Sequence, residues 1–397
     1  MSSALHTGAR ATIHFLADWL LPLGYLCLLT GLAWLDDRSQ YHKAFYALIA
    51  APALVALVLQ PRLIYQLLRN PITLALLAFS AWILISLTWS DTEESAGSLI
   101  KRPLYVLMLF VACLAIAQRN CSRLIAVVSL SSLLMAPIAL YALADFTRHY
   151  SEGARLVGGG AFDNPLLSSH VFGFFCMLWL GWVMAAPGRQ SLVALLPLAV
   201  LLATLLATGS RTPILAATLA AGWLIISTWN LRSLALAMCG AISALLLWLL
   251  YPESILNRGT SYRLEIWQLA LEQILQHPWA GHGFDAHLAI KVPGIDNTFS
   301  EPHSFFLGVL YYSGLIGAIF WLLMHAAALQ ICWKRRQDLY FIIAGALVIY
   351  GLGAGLAEGG GILSRPKEHW FLIWIPLALV AALSIGRQQK ASVDCSA

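Results

Sequence analysis

Apolar runs long enough to cross a lipid bilayer succeed one another along almost the whole of this 397-residue chain. They leave few folds open. Inside hydrocarbon every backbone N–H and C=O must be satisfied within the protein, so an apolar run of that length forms a helix. Counting stretches of about 17–25 mostly apolar residues gives about 12 spans. Their approximate limits are residues 15–35, 44–60, 71–89, 103–118, 124–144, 167–186, 191–208, 213–230, 233–251, 303–333, 339–356 and 368–386. Composition agrees, with 60% hydrophobic and 11% charged residues, where a soluble domain carries roughly 25% charged. The 15 Trp and 13 Tyr suit aromatic belts at the two membrane surfaces. The fold class expected is all-α, a polytopic transmembrane helical bundle. It forms one integral domain over residues 1–397, without linker, low-complexity tract or internal repeat.

Orientation follows from alternate connections. One set holds Arg62 and Arg69, Arg119 and Arg123, Arg189, Arg232, Lys334-Arg335-Arg336, and Arg387 with Lys390, and has little acid besides Asp338. The other holds Asp36-Asp37, Asp91 to Glu94, Asp145 to Asp163, the stretch 252–302, and Glu358 to Glu368. Basic density in short loops marks the first set as cytoplasmic. Both termini are then expected inside, with the second set in the periplasm of a bacterium. Met1 to Arg10 shows no cleavable signal peptide, so the first span is expected to stay as an anchor. Seven cysteines (27, 113, 121, 176, 239, 332 and 395) fall in spans or on the cytoplasmic side, so no outer disulfide is expected. The net charge of +5 reflects cytoplasmic basic residues and gives no reason to expect a nucleic-acid partner.

The polar stretch Pro252 to Pro302 is the long exception among short connections, and a long ordered loop usually carries function. It contains Arg258, Arg263, His277, His282, Asp285 and His287, and runs into Glu301-Pro302-His303-Ser304, where an apolar run begins. Within it, Tyr262 to Gln276 reads as an amphipathic helix, with Leu264, Trp267, Leu271, Ile274 and Leu275 on one side. Such a helix rests on the membrane surface or caps a cavity. His277-Pro278 ends it, and Gly281, Gly283 and Gly294 supply turns.

Three residues stand out. Arg211 sits in Thr208-Gly209-Ser210-Arg211-Thr212-Pro213, between two apolar spans, with Ser210 or Thr212 expected as N-cap. A cation at a helix N-terminus opposes the helix dipole, and an anionic ligand would resolve the conflict. The bland alternative is an arginine snorkelling to lipid phosphates. Arg263, near the start of the surface helix, is either an ordinary solvated charge or the second half of a diphosphate clamp with Arg211. His303 is either an interfacial anchor or a general base, since a helix N-terminus and burial both favour neutral imidazole. Glu301, Ser304, Arg155 and His287 fall in the same outer region and are candidates for contacting substrate. His282, Asp285 and His287 lack a metal-ligand frame, so no metal site is expected. Asp18 lies at the edge of the first span. No other acid falls mid-span, which argues against a proton-coupled transporter.

His303-Ser304-(nine residues)-Gly314-Leu315-Ile316-Gly317 resembles the signature of the O-antigen ligase family. Arg211-Thr-Pro-Ile-Leu215 resembles that family's Arg-x3-Leu pattern. Arg263-x3-Trp267 followed by Pro278-x2-Gly281-x-Gly283-Phe284 resembles a third of its stretches. Ala318 departs from the Thr or Val usual after the last glycine. The resemblance implies a glycosyltransferase C-like membrane architecture in the inner membrane, with a periplasmic active site. It implies an undecaprenyl-diphosphate-linked O-antigen donor and a lipid A core acceptor, inverting transfer, and no cofactor or metal. His303 would be the base, and Arg211 and Arg263 would hold and stabilise the diphosphate. An O-antigen polymerase or a protein O-oligosaccharyltransferase shares the module. A lipid-linked glycan flippase or transporter is the alternative of a different class. Gly314 and Gly317 are expected to permit close helix packing.

Overall fold

The computed structural model describes residues 2–250 and 262–394. Each apolar run holds a helix: α1 (Arg10–Ala33), α2 (Arg38–Leu59), α3 (Pro71–Ser86), α4 (Ala96–Arg119), α5 (Cys121–Arg148), α6 (Pro165–Ala185), α7 (Arg189–Ala207), α8 (Thr212–Thr228), α9 (Leu231–Leu250), α11 (Phe305–Lys334), α12 (Leu339–Gly355) and α13 (Glu368–Gln389). Helix α10 (Arg263–Ile274) lies in the long polar stretch. Among the described residues, eight helices are long and apolar enough to cross a membrane: α1, α2, α4, α5, α6, α7, α11 and α13. A short helix at Arg62–Leu68 meets α3 at 90°, and α8 and α12 are apolar helices of 17 residues each.

Polar caps fix where the chain turns. Asp37, Ser95, Asn120, Asn164 and Asp338 each accept a backbone N–H of the helix they precede, satisfying donors that have no partner in the first turn. Ion pairs then tie together connections at the same end of the bundle. At one end Arg38 reaches Asp163 (2.9 Å) and Glu368 (2.8 Å), and Arg102 reaches Glu94 (2.6 Å) and Asp285 (2.8 Å). At the other, Asp18 meets Arg119 and Arg123, and Arg387 meets Asp338 at 3.1 Å. Helix α13 is enclosed on every side, as an all-round apolar helix must be in a bundle core.

Residues 252–261 of the polar stretch, with Arg258, lie outside the described residues. In the rest of the stretch the expected apolar side is divided. Helix α10 turns Ile266, Ala270 and Ile274 into the protein, one residue per turn. Leu264, Leu271 and Leu275 are exposed. The longer leucine side therefore faces away from the bundle, where an apolar strip suits a lipid surface better than water.

The run 303–333 is not one straight helix. Ser304 caps α11, and the helix breaks at Gly314 (φ 61°, ψ −165°), a region open essentially to glycine alone. At the break Leu315 N–H donates to Pro278 O (2.9 Å) and Ile316 N–H to Trp279 O (3.2 Å). His282 N–H and Gly283 N–H donate in turn to Tyr311 O (2.8 Å) and Tyr312 O (3.1 Å). The stretch Pro278–Gly283 is thus docked backbone to backbone into the broken helix, and supplies the partners that the helix ladder loses. Gly314 serves a break, and its packing partner is a loop. A Cβ on it would overlap the Trp279 carbonyl.

Gly314→Ala is expected to destabilise the protein by roughly 1–3 kcal/mol, the usual penalty for a side chain forced into a disfavoured backbone region. At Gly97 an added Cβ meets nothing within 4 Å, and Gly97→Ala should shift stability by no more than about 0.5 kcal/mol. Denaturant titration of both variants in detergent measures the difference; equal stabilities would show that the break tolerates a side chain.

Candidate functional site

The turn after α12, Ala357-Glu358-Gly359, draws the site together. Arg263 is the first residue of α10, and its Nε donates to Ala357 O at 3.0 Å. Its Nη2 lies 3.7 Å from Glu358 Oε2. The backbone carbonyl of Glu358 accepts from Phe305 N–H at 3.1 Å, at the start of the helix that follows His303. Two consecutive residues thus receive both the guanidinium and the helix behind the imidazole. Burial and packing close the arrangement. Ser304 Oγ reaches Gly355 O at 3.4 Å, and a Cβ on Gly360 would sit 2.6 Å from Pro302 Cδ.

His303 is half-buried and adopts φ 49°, in the left-handed region that non-glycine residues seldom occupy. Strain of this kind recurs at functional positions. Phe299, on the second strand of a small antiparallel hairpin (β1, Ile290–Lys291; β2, Thr298–Phe299), meets the His303 ring edge-on at 5.9 Å. Burial pulls the imidazole below its ordinary value; Glu301 works against that shift and Arg263 with it. The neutral ring is therefore the prevailing form at pH 7, the form that accepts a proton.

Arg211 is exposed and occupies the N-cap of α8 itself, and no side chain caps that helix. The sequence expectation of Ser210 or Thr212 as cap is corrected: Ser210 Oγ accepts from Arg155 Nη2 at 2.8 Å. Arg155 Nε also donates to Thr208 O at 2.8 Å. Arg155 thus braces the turn that presents Arg211. Helices α8 and α12 pack with Ala216 against Gly353, so the start of α8 and the end of α12 share one end of the bundle. Arg211 lies a little over one turn before Ala216, and Ala357 one turn past Gly353.

The other candidates divide. Glu301 is partly buried, near Gly360, and acts electrostatically on both His303 and Glu358. The Ser304 hydroxyl is committed to capping α11. His287 is exposed, and its backbone is tied to Asp91 and Tyr311. His282 bonds Gln273 O and stacks on Tyr311, while Asp285 is held by Arg102 and Thr92.

Sequence reasoning missed three groups. Glu358 is 5% exposed, and burial pushes it up to about 7 although Arg263 pulls it down. His170 on α6 and His369 on α13 are buried with ring centroids 6.5 Å apart, and His369 packs edge-on against Phe305 at 5.0 Å. Among the described residues none of their four ring nitrogens has a hydrogen-bond partner. The signal for Glu358 was present, a carboxylate followed by three glycines between two apolar runs. No comparable signal marks two histidines inside apolar runs.

A mostly helical, multi-pass membrane protein that brings an imidazole and guanidinium groups to one end of its bundle is the class these features define. The family model described as O-antigen ligase matches residues 196–322, the stretch that holds Arg211, Arg263 and His303. A protein of Pseudomonas aeruginosa described as an O-antigen ligase is 45% identical over 386 residues, covering 96% of this chain and 94% of its own length. The chain belongs to the O-antigen ligase family.

Because the Glu301 carboxylate favours protonated His303, Glu301→Gln is expected to lower the His303 midpoint further below 6.5. Imidazole NMR of the protein labelled at histidine measures this. A midpoint that rises on removing the carboxylate would mean that the two side chains do not face one another.

Proposed function

We propose that this protein is an inverting, metal-independent glycosyltransferase that completes lipopolysaccharide. It moves O-antigen from undecaprenyl diphosphate to a sugar hydroxyl of the lipid A core at the periplasmic face of the inner membrane. The observation that carries the reading is the Ala357-Glu358 turn, which fixes Arg263 and the helix of His303 beside the end of α8 that bears Arg211. His303 takes the proton of the acceptor hydroxyl as its oxygen attacks the anomeric carbon. The bond from that carbon to the diphosphate breaks on the opposite face, and the diphosphate leaves with the electron pair. Arg211 and Arg263 hold it and neutralise the charge it gains, which is the main work such a step requires. The donor is already activated, so the chemistry calls for positioning, a base and positive charge. Basic short loops at the other end of the bundle support a periplasmic site with both termini in the cytoplasm.

Reconstitution with purified polyprenyl-diphosphate glycan and lipid A core, in the presence of EDTA, tests the reading. Glycan-capped lipid A is the expected product. A lengthened donor would make the protein a polymerase, and translocation without transfer a flippase. His303→Ala should lower turnover by at least about 100-fold, the usual scale for a lost general base, with donor binding retained. Arg211→Lys should reduce transfer by roughly 10-fold, because a point charge cannot replace a planar fork. Near-normal turnover in either variant removes the role given to that residue.

A further inference from the structure

Glu358 takes no part in the scheme above, although it faces the cation central to it. The pairing is loose: 3.7 Å separates Arg263 Nη2 from Glu358 Oε2, beyond hydrogen-bond range. Among the described residues Oε2 receives no hydrogen bond. Arg263 is meanwhile positioned independently by Ala357 O through its Nε. The backbone places the guanidinium, and the carboxylate balances its charge.

A carboxylate withdrawn from water, with no cation within hydrogen-bond range of Oε2 among the described residues, resists ionisation. The charged neighbours divide: Arg263 and Lys367 favour the anion, and Glu301 opposes it. His303 stands just before Phe305, whose N–H bonds the Glu358 carbonyl, while His369 and His170 lie behind Phe305. Burial outweighs the rest and brings the Glu358 midpoint up to about 7.

This inference rests on the reading that Arg263 receives the donor diphosphate. We propose that Glu358 is a resident counter-anion that the donor displaces from Arg263, so that loading the donor draws one proton from solvent onto this carboxyl. Two phosphate charges arriving at Arg263 would otherwise stand beside the Glu358 carboxylate that already faces this half-buried guanidinium. Protonating the carboxyl removes the repulsion, and the new O–H can donate to a phosphate oxygen. No covalent bond other than O–H is made. The proton returns to solvent when the diphosphate departs, and the carboxylate again balances Arg263.

The test uses wild-type protein in nanodiscs, without acceptor, and a polyprenyl-diphosphate-linked oligosaccharide. The charge of that diphosphodiester is constant between about pH 6 and 8. Full coupling to a group with a midpoint near 7 weakens donor binding about 10-fold from pH 6 to 8. Calorimetry in buffers of different ionisation heat should then find uptake of about one proton per donor at pH 8 and almost none at pH 6. Glu358→Gln keeps an oxygen for the Gly359 backbone and stays neutral. It should bind donor about 10-fold more tightly than wild type at pH 8, without pH dependence across this window. His303 titrates below the Glu358 midpoint, and His303→Gln, assayed for binding alone, removes its share.

No proton uptake by the wild type at pH 8 overturns the proposal, as does a Glu358→Gln protein that keeps the wild-type pH dependence. If that variant does not fold, the wild-type proton count decides alone. Arg263→Ala separates the two levels. Unchanged donor binding in it removes the diphosphate reading, and with it this inference. Weakened binding together with zero proton uptake in the wild type removes only the role of Glu358.

Discussion

Two peptide carbonyls, those of Ala357 and Glu358, hold the candidate site together. One receives Arg263 and the other the first turn of α11. Without them a flexible arginine and a histidine before a helix would have no fixed relation. Both carbonyls lie in the turn just past Gly355, the last residue of α12. There the chain has left the helix, and its carbonyls are open to groups from distant parts of the sequence.

Much of the architecture was legible in the sequence because hydrocarbon is an exacting solvent. Each apolar run contains a helix, since no other local structure satisfies its backbone there. The residues of the three motifs were also legible, although their roles differ in kind. Arg263 and His303 are gathered at one turn, whereas Pro278, Gly281 and Gly283 form the stretch that docks into α11 around Gly314. Periodicity at α10 grouped Ile274 with Leu264, Leu271 and Leu275 on one side, whereas the structure buries Ile274 and leaves the three leucines exposed. The inward side is made by Ile266, Ala270 and Ile274, one residue per turn. Leucines chosen for contact with lipid and leucines chosen for a protein core look alike in a sequence. The break at Gly314 was hidden for a related reason: a glycine in an apolar run reads equally as a packing notch.

Electrostatics was the least legible layer. Glu358 belongs to a loop, and loop acids are normally solvated; only its burial beside Arg263 changes its behaviour. His170 and His369 are likewise ordinary by sequence, and among the described residues their buried ring nitrogens have no hydrogen-bond partner. A buried polar group without a partner is expensive, and four such nitrogens close to the Phe305 turn concentrate that expense at one place. Elsewhere at this end Arg38 and Arg102 each pair with two carboxylates and hold the surrounding connections. Rigid scaffolding and an under-satisfied centre therefore sit side by side.

The interrupted helix α11 also has a consequence for biosynthesis. Its loose peptide groups at Gly314 are completed by residues 278–283, which leave the ribosome about ten seconds or less before the break itself, at ordinary translation speeds. The plug is thus already made when the gap appears, and the exposed polar backbone need not wait in the translocon for a partner still to be synthesised. Reversing that order by circular permutation would leave the gap open through the rest of synthesis.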